Sequence, residues 1–350
     1  MRQICIDCEG PITKNDNALE LCQHFLPQGG DFFSLISRYD DFLADIVRKK
    51  GYRAGNTLSF ILPFLKAASV TNKKIIDFSR RGLLLISGAE RMLPRLAEKI
   101  PTFIISTSYR PYVQALCDKI KFPFRNTYST YLDLDKYHLA PEEADELNRL
   151  LDEVLKLTPI QISGVKNRTG LSAPSRKTVT RLDEIFFREI PGMSCGRMLE
   201  EVQPLGGKEK AKAILDLLRK TGSAASEIMY IGDSITDVQA LELVKTEGGV
   251  AVSFNGNRYA LRAAQVACVS ADFLPLRILG EIFHRDGKEG LEKILRQGLR
   301  SMEDKVQEEL SSLKPRPELN IINENNLEIL ISKSESMRKC VRGEKIGTLG

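Results

Sequence analysis

The chain has 350 residues, 42% hydrophobic and 28% charged, which is enough for one large or two ordinary folding units and too long for a small stapled scaffold. Lysine and arginine exceed aspartate and glutamate by only 51 to 46, so the charge balance supports no nucleic-acid surface. Seven cysteines, odd in number and mostly far apart, suit the reduced thiols of a cytoplasmic protein better than disulfides or zinc.

Residues Gln3 to Asp7 read as a buried strand ending in Asp-Cys-Glu-Gly-Pro, and nothing before them has the apolar region of a secretory signal. Over 15–81 the pattern is helical, with Leu35, Ile36, Tyr39, Phe42, Leu43, Ile46 and Val47 recurring at three- and four-residue spacing. The most apolar runs, 57–64 and 82–89, fall short of the roughly 18 residues of a membrane span. A second strand, Thr102 to Ser106, ends in Ser-Thr-Ser. The stretch 124–202 is a more polar insertion with a helix expected over 141–157, whose first turn carries Glu142, Glu143 and Asp145 where they favour the dipole. Residues 165–180, with Lys166, Arg168, Arg176 and Lys177, read with Arg181 as a solvated basic loop. A third strand, Glu227 to Ile231, ends in Gly-Asp-Ser, and a fourth, Gly249 to Phe254, in Asn-Gly-Asn. Beyond Asp272 the pattern is helical to about 313, and Lys314-Pro-Arg-Pro opens a polar tail whose last dozen residues suit disorder. Strands alternating with helical periodicity predict an α/β fold built on a doubly wound parallel sheet, with ligands at the carboxyl ends of the strands.

Asp7, Glu9, Ser106, Lys208, Asp233 and Asp237 would gather at those ends. One by one they are unremarkable, because aspartate at a strand end is commonly a cap or turn residue. Their order makes a four-part pattern: an acidic pair two apart, a serine after the second strand, Gly207-Lys208 opening a helix, and Gly232-Asp-Ser-Ile-Thr-Asp237. This pattern resembles the haloacid dehalogenase-like hydrolases, and Val252 to Asn257 with the Ala-rich helix after it resembles their phosphoserine-phosphatase-like branch. The resemblance implies a Rossmann-like core and a Mg²⁺-dependent phosphatase working through an aspartyl-phosphate. Asp7 would be the nucleophile. Glu9 would protonate the leaving group and later deprotonate water, Ser106 and Lys208 would hold the phosphoryl group, and Asp7, Glu9 (through its carbonyl) and Asp233 would bind the metal. Asp237 would support the metal or orient Lys208. The residue types suit phosphoryl transfer, which needs an in-line nucleophile, neutralised oxygens and a proton for the leaving group. Two departures stand out: Glu9 where most members have Asp, a change of reach, and Pro11 where they have Thr or Val. A dehalogenase is disfavoured, since that branch lacks the second carboxylic acid and needs no metal.

Tyr109 and Arg110 follow the second motif and are candidate substrate contacts, Arg110 as a partner for a carboxylate or phosphate; the competing reading is a solvated helix start. Cys5 and Cys8 have redox spacing but lie on or beside a strand, and His24, His138 and His284 sit in no motif. The division expected is a core of 1–13, 82–124 and 200–280, a helical cap of 14–81 that closes over the site, a second insertion of 125–199, and an extension of 281–350. The leading expectation is a phosphatase or phosphotransferase acting on a small phosphorylated metabolite. The alternative follows from a second resemblance, to a largely archaeal group attached to an energy-converting hydrogenase: an accessory subunit that keeps the fold and works through a protein partner. No cluster-binding cysteine spacing supports electron transfer.

Overall fold

Seven strands form one sheet in the computed structural model, which describes residues 1–48, 52, 55–298 and 302–347. They are β1 (Gln3–Ile6), β2 (Thr102–Tyr109), β3 (Thr127–Thr130), β4 (Ile228–Gly232), β5 (Val250–Phe254), β6 (Val266–Val269) and β7 (Glu318–Ile321). Their order is β3-β2-β1-β4-β5-β6-β7, parallel except for β7, which runs antiparallel beside β6. Alternation along the central strands feeds two apolar layers. Ile4, Ile6, Met229 and Ile231 pack with the helices Ala89–Lys99, Arg110–Ile120 and Leu274–Gln297, while Cys5, Ile228 and Tyr230 pack with Lys208–Thr221 and Val238–Thr246. A strand buried on both faces needs a continuous apolar run, and that is what made β1, β2, β4 and β5 recognisable. The chain leaves β1 for one side of the sheet and returns to β4 on the other, so the crevice expected to bind ligands lies at the carboxyl ends of β1 and β4.

The predicted helical stretch after β1 contains Asn17–Phe25, Gly29–Asp41, Thr57–Phe60, Leu62–Ala67 and Asn72–Gly82. The helix expected over 141–157 runs from Pro141 to Val154. These helices share one apolar cluster: Leu19, Phe32, Tyr39, Phe60 and Phe64 pack with Leu147, Leu150, Leu182 and Phe186. The helices between β1 and β2 and those between β3 and β4 thus bury their apolar faces on each other, while β3, inside the expected second insertion of 125–199, belongs to the sheet.

Two readings are corrected. The basic stretch 165–180 is not loop throughout: Ala173–Glu184 is a helix, capped by the Ser172 hydroxyl accepting from Ser175 N, with Ser175, Thr178, Val179 and Leu182 buried. Its Arg181 pairs with Glu153 at 2.5 Å and also with Glu189. The polar tail also folds, forming β7 and then the helix Leu327–Arg342, in which Leu330, Ile331, Ser334 and Arg338 are buried. A short helix, Glu344–Gly347, follows, and 348–350 lie outside the described residues. Among the described residues no helix is long and apolar enough to cross a membrane.

Asn15 joins the two chain crossings between sheet and inserted helices. Its side-chain amide donates to Gly82 O at 2.9 Å and to both Glu20 oxygens, and its Oδ1 accepts from Leu84 N at 2.8 Å. Asn15→Ala strips partners from buried groups on both crossings and should cost about 1–3 kcal/mol in urea unfolding. Burial pushes the Glu20 carboxyl up to about 7 from its usual 4.5. Between those values the folded chain keeps a proton that the unfolded chain has lost. The stabilisation is therefore complete below the lower value and disappears as pH rises through about 7. Glu20→Gln should flatten that decline in denaturation midpoints measured from pH 4 to 8.

Candidate active site

Lys210 lies at the centre of the buried charges at the strand ends, fully buried, with its Nζ 2.8 Å from Asp7 Oδ2 and 2.7 Å from Asp237 Oδ1. Asp7 follows β1 directly, and its Oδ1 accepts from Cys8 N at 2.7 Å. Asp233 and Asp237 belong to the turn after β4. The Asp237 carboxylate is saturated: Oδ1 accepts from Lys210 and from the Tyr230 hydroxyl at 2.6 Å, and Oδ2 accepts from the backbone N–H groups of Asp233 and Ser234, both at 3.0 Å. Fixed in this way, Asp237 orients the lysine and shapes the turn. Ligand oxygens of Asp7, Asp233 and Asp237 all lie within 4.8 Å of one another. Gly10, at φ +107°, lies against the Asp233 carboxylate so closely that a Cβ there would sit 2.0 Å from Oδ2, so the turn after β1 accepts no larger residue.

Lys208, the lysine singled out in the sequence, is not at this centre. It is exposed as the first residue of the helix Lys208–Thr221. Lys210 instead lies on the face that carries Ala213, Ile214 and Leu217, so it enters the interior with the apolar stripe. Arg110 is also elsewhere. Its exposed guanidinium lies 5.3 Å from the Phe124 ring centroid and 5.9 Å from that of Tyr131. Tyr109 is buried, donates to Leu58 O and lines the crevice. The Ser106 hydroxyl is buried, accepting from Ser108 N and lying 3.1 Å from Ser108 Oγ. β2 runs three residues past Ser106, with a register shift against β3 between Ile105 and Tyr109, and this extension places Thr107 and Ser108 on the crevice wall.

The crevice is a cavity of about 120 Å³. Asp7, Glu9, Ser108 and Asp233 line it from the sheet, while Asp16, Asn17, Asp40, Thr57 and Leu58 line it from the inserted helices. Glu9 Oε1 accepts from Asn17 N at 2.8 Å, and burial, reinforced by the neighbouring Asp16, holds its carboxyl well above the usual range. Burial pushes Asp7 up to about 7 against the pull of Lys210, whereas Asp237, despite its burial, is held low by Lys210 and its other donors. The carboxyls thus differ: Asp237 is held ionised as the counter-ion of Lys210, while burial raises both Asp7 and Glu9 above the usual carboxylate range.

The sequence reading missed two further residues. Arg338 and Arg342, on the helix Leu327–Arg342, reach the crevice with side chains 4% and 6% exposed. Arg338 Nη1 bonds Asp233 Oδ2, and Arg342 Nη1 lies 3.2 Å from the same oxygen. Carboxylate oxygens are the hard donors that Mg²⁺ requires, and by that criterion the donor set of Asp7 and Asp233 fits a divalent cation, although in this structure Asp233 Oδ2 is engaged by the two guanidiniums.

No protein-family model matches the chain, and neither does any curated protein. Among solved structures, a gene product from Archaeoglobus fulgidus is similar over 100% of this chain and 99% of its own, with a TM-score of 0.84 and 29% identity. Phosphoserine phosphatase in apo form aligns over 79% of this chain and 96% of its own, with a TM-score of 0.46 and 10% identity. A HAD family hydrolase from Salmonella enterica subsp. enterica serovar Typhi aligns over 73% and 62%, with a TM-score of 0.42 and 12% identity. The archaeal protein shares the architecture from end to end, inserted helices included; the other two superpose too loosely to add to the argument.

Removing one partner of a buried ion pair leaves an uncompensated charge. Lys210→Met should therefore destabilise the protein by about 3–5 kcal/mol, while Lys208→Met should stay within about 0.5 kcal/mol of the parent. Thermal or urea denaturation of the two variants side by side decides which lysine is structural to the site.

Proposed function

We propose that this protein is a Mg²⁺-dependent phosphatase or phosphotransferase of the haloacid dehalogenase-like type, acting on a small phosphate monoester. The observation that carries this reading is the convergence of Asp7 and Asp233 at the ends of adjacent parallel strands, with Lys210 locked between Asp7 and Asp237. A nucleophilic carboxylate, a second carboxylate and a fixed ammonium are the parts from which phosphoryl transfer is assembled.

In this reading the Asp7 carboxylate attacks phosphorus as the bond to the leaving oxygen breaks, and Glu9 gives that oxygen its proton. Water then attacks the aspartyl-phosphate, Glu9 takes its proton, and Asp7 and inorganic phosphate are regenerated; in a phosphotransferase an acceptor hydroxyl replaces the water. The raised carboxyl of Glu9 supports its role, since a general acid must hold its proton near neutral pH. Lys210 favours the ionised form of Asp7 and offers charge to the transferring group. Mg²⁺ would be held by Asp7 and Asp233 with the Glu9 carbonyl, and would neutralise charge on the phosphoryl oxygens. Ser108 and Thr107 are better placed than Ser106 to face the phosphoryl group, because they line the cavity. The inserted helices, as a cap, exclude water and limit the substrate to a small molecule. An accessory role beside a hydrogenase-type complex is the competing proposal.

Phosphate release should be measured with Mg²⁺ over phosphoamino acids, sugar phosphates and nucleotides. At least one class should turn over, Asp7→Asn and EDTA should each reduce the rate to background, and Glu9→Gln should slow it by about 10²-fold or more. Turnover that survives Asp7→Asn would sink the mechanism. A folded protein inert on every class, and recovered in fixed ratio with a larger complex, would establish the accessory role instead.

A further inference from the structure

The helix Leu327–Arg342 is fixed beside the crevice by Ser334, whose hydroxyl donates to Gly256 O at 2.7 Å. Arg338 and Arg342 lie one helical turn apart on the same face and converge on a single oxygen, Asp233 Oδ2. Arg338 Nη1 also lies 3.2 Å from Asp233 O. Arg342 uses its other donors on the chain crossing into the inserted helices, with Nε 3.1 Å from Lys14 O and Nη2 on Asn15 O. The pair therefore joins three things: the final long helix, the carboxylate proposed to bind metal, and the chain crossing held by Asn15.

Charge explains why two buried guanidiniums are tolerated there. Asp7, Asp233 and Asp237 pair with Lys210, Arg338 and Arg342, and the carboxyl groups of Glu9, Asp16 and Glu20 also feel the Arg342 charge. A divalent ion placed on Asp7 and Asp233 would add two positive charges beside guanidiniums already sharing an Asp233 oxygen, and in a buried site that repulsion is weakly screened.

We propose that Arg338 and Arg342 form an internal cationic latch that stands at Asp233 in place of the divalent ion, so that metal binding and seating of the helix Leu327–Arg342 oppose each other. Reciprocity follows from linkage: whatever weakens the seated helix strengthens metal binding, and metal binding loosens the helix and, through Arg342, its hold on the crossing at Lys14 and Asn15. The latch rests on the metal site of the proposed function.

The test uses the full chain and Mn²⁺ as a spectroscopic probe. The dissociation constant is measured by electron paramagnetic resonance for the parent, the Arg338→Gln/Arg342→Gln double variant and Asp233→Asn, and backbone hydrogen exchange is followed in the parent with and without saturating Mg²⁺. The latch predicts binding about tenfold tighter or more in the double variant, binding lost in Asp233→Asn, and faster exchange across 327–342 when Mg²⁺ is added. A folded double variant that binds Mn²⁺ no more tightly than a binding-competent parent overturns the latch and leaves the metal site standing. Exchange that stays unchanged in a metal-saturated parent does the same, and it decides the matter alone should the double variant fail to fold. If neither parent nor double variant binds Mn²⁺, the metal site itself falls and the latch with it.

Discussion

A lysine ammonium with no exposure to solvent must be paired, and the pairing of Lys210 organises everything around it. Its two partners come from different strand ends, Asp7 after β1 and Asp237 in the turn after β4, and the lysine comes from a third element. The three positions are therefore interdependent. Shifting the helix by one residue would point the ammonium away from both carboxylates, and slipping β1 against β4 would part Asp7 from Asp237. Asp237 gains no freedom from its charge, because each of its oxygens is already engaged; its neighbour Asp233 is positioned by the same turn yet left to interact outward. The Gly10 backbone closes in on Asp233 from the β1 side and completes the frame.

The core and the inserted helices contribute different things to the cavity. Reactive side chains come from the strand ends, whose positions are set by sheet hydrogen bonding. Enclosure comes from helices that owe their rigidity to each other: those of 17–82 and those of 141–184 bury a single aromatic-rich cluster. Joined through that cluster, they are tied to the rest of the chain at Asn15, Asn17 and Tyr109, among other residues.

How much of this was legible depends on whether the relevant force is local. Strands buried on both faces advertise themselves as apolar runs, and the four read from sequence are β1, β2, β4 and β5, to within a few residues. β3 has the sequence Thr-Tyr-Ser-Thr and is half-buried, and β7 alternates polar and apolar at a sheet edge, so neither rises above a loop in composition; β6, Val-Ala-Cys-Val, is as apolar and as short as β1 and was legible in principle. The helix Ala173–Glu184 was hidden because half of its buried face is polar, Ser175 and Thr178 beside Val179 and Leu182. Lys210 was available to a reader of helical phase, since it completes the stripe of Ala213, Ile214 and Leu217, but the glycine before Lys208 drew attention to the wrong residue. Asp7, Glu9 and Asp233 line one cavity as their spacing suggested. Nothing local marks Arg338 and Arg342, whose partner lies more than a hundred residues away.

That separation has a consequence for how the site comes into being. Arg342 grips the Asn15 carbonyl across 327 positions of chain, and Arg338 meets Asp233 across 105. During synthesis the strand ends, the lysine and the inserted helices all leave the ribosome before the two arginines do, and domains fold as they emerge. For that interval Asp233 is without the two guanidiniums that the complete chain places on it. The order of residues along the chain thus sets the order in which the partners of Asp233 become available to it.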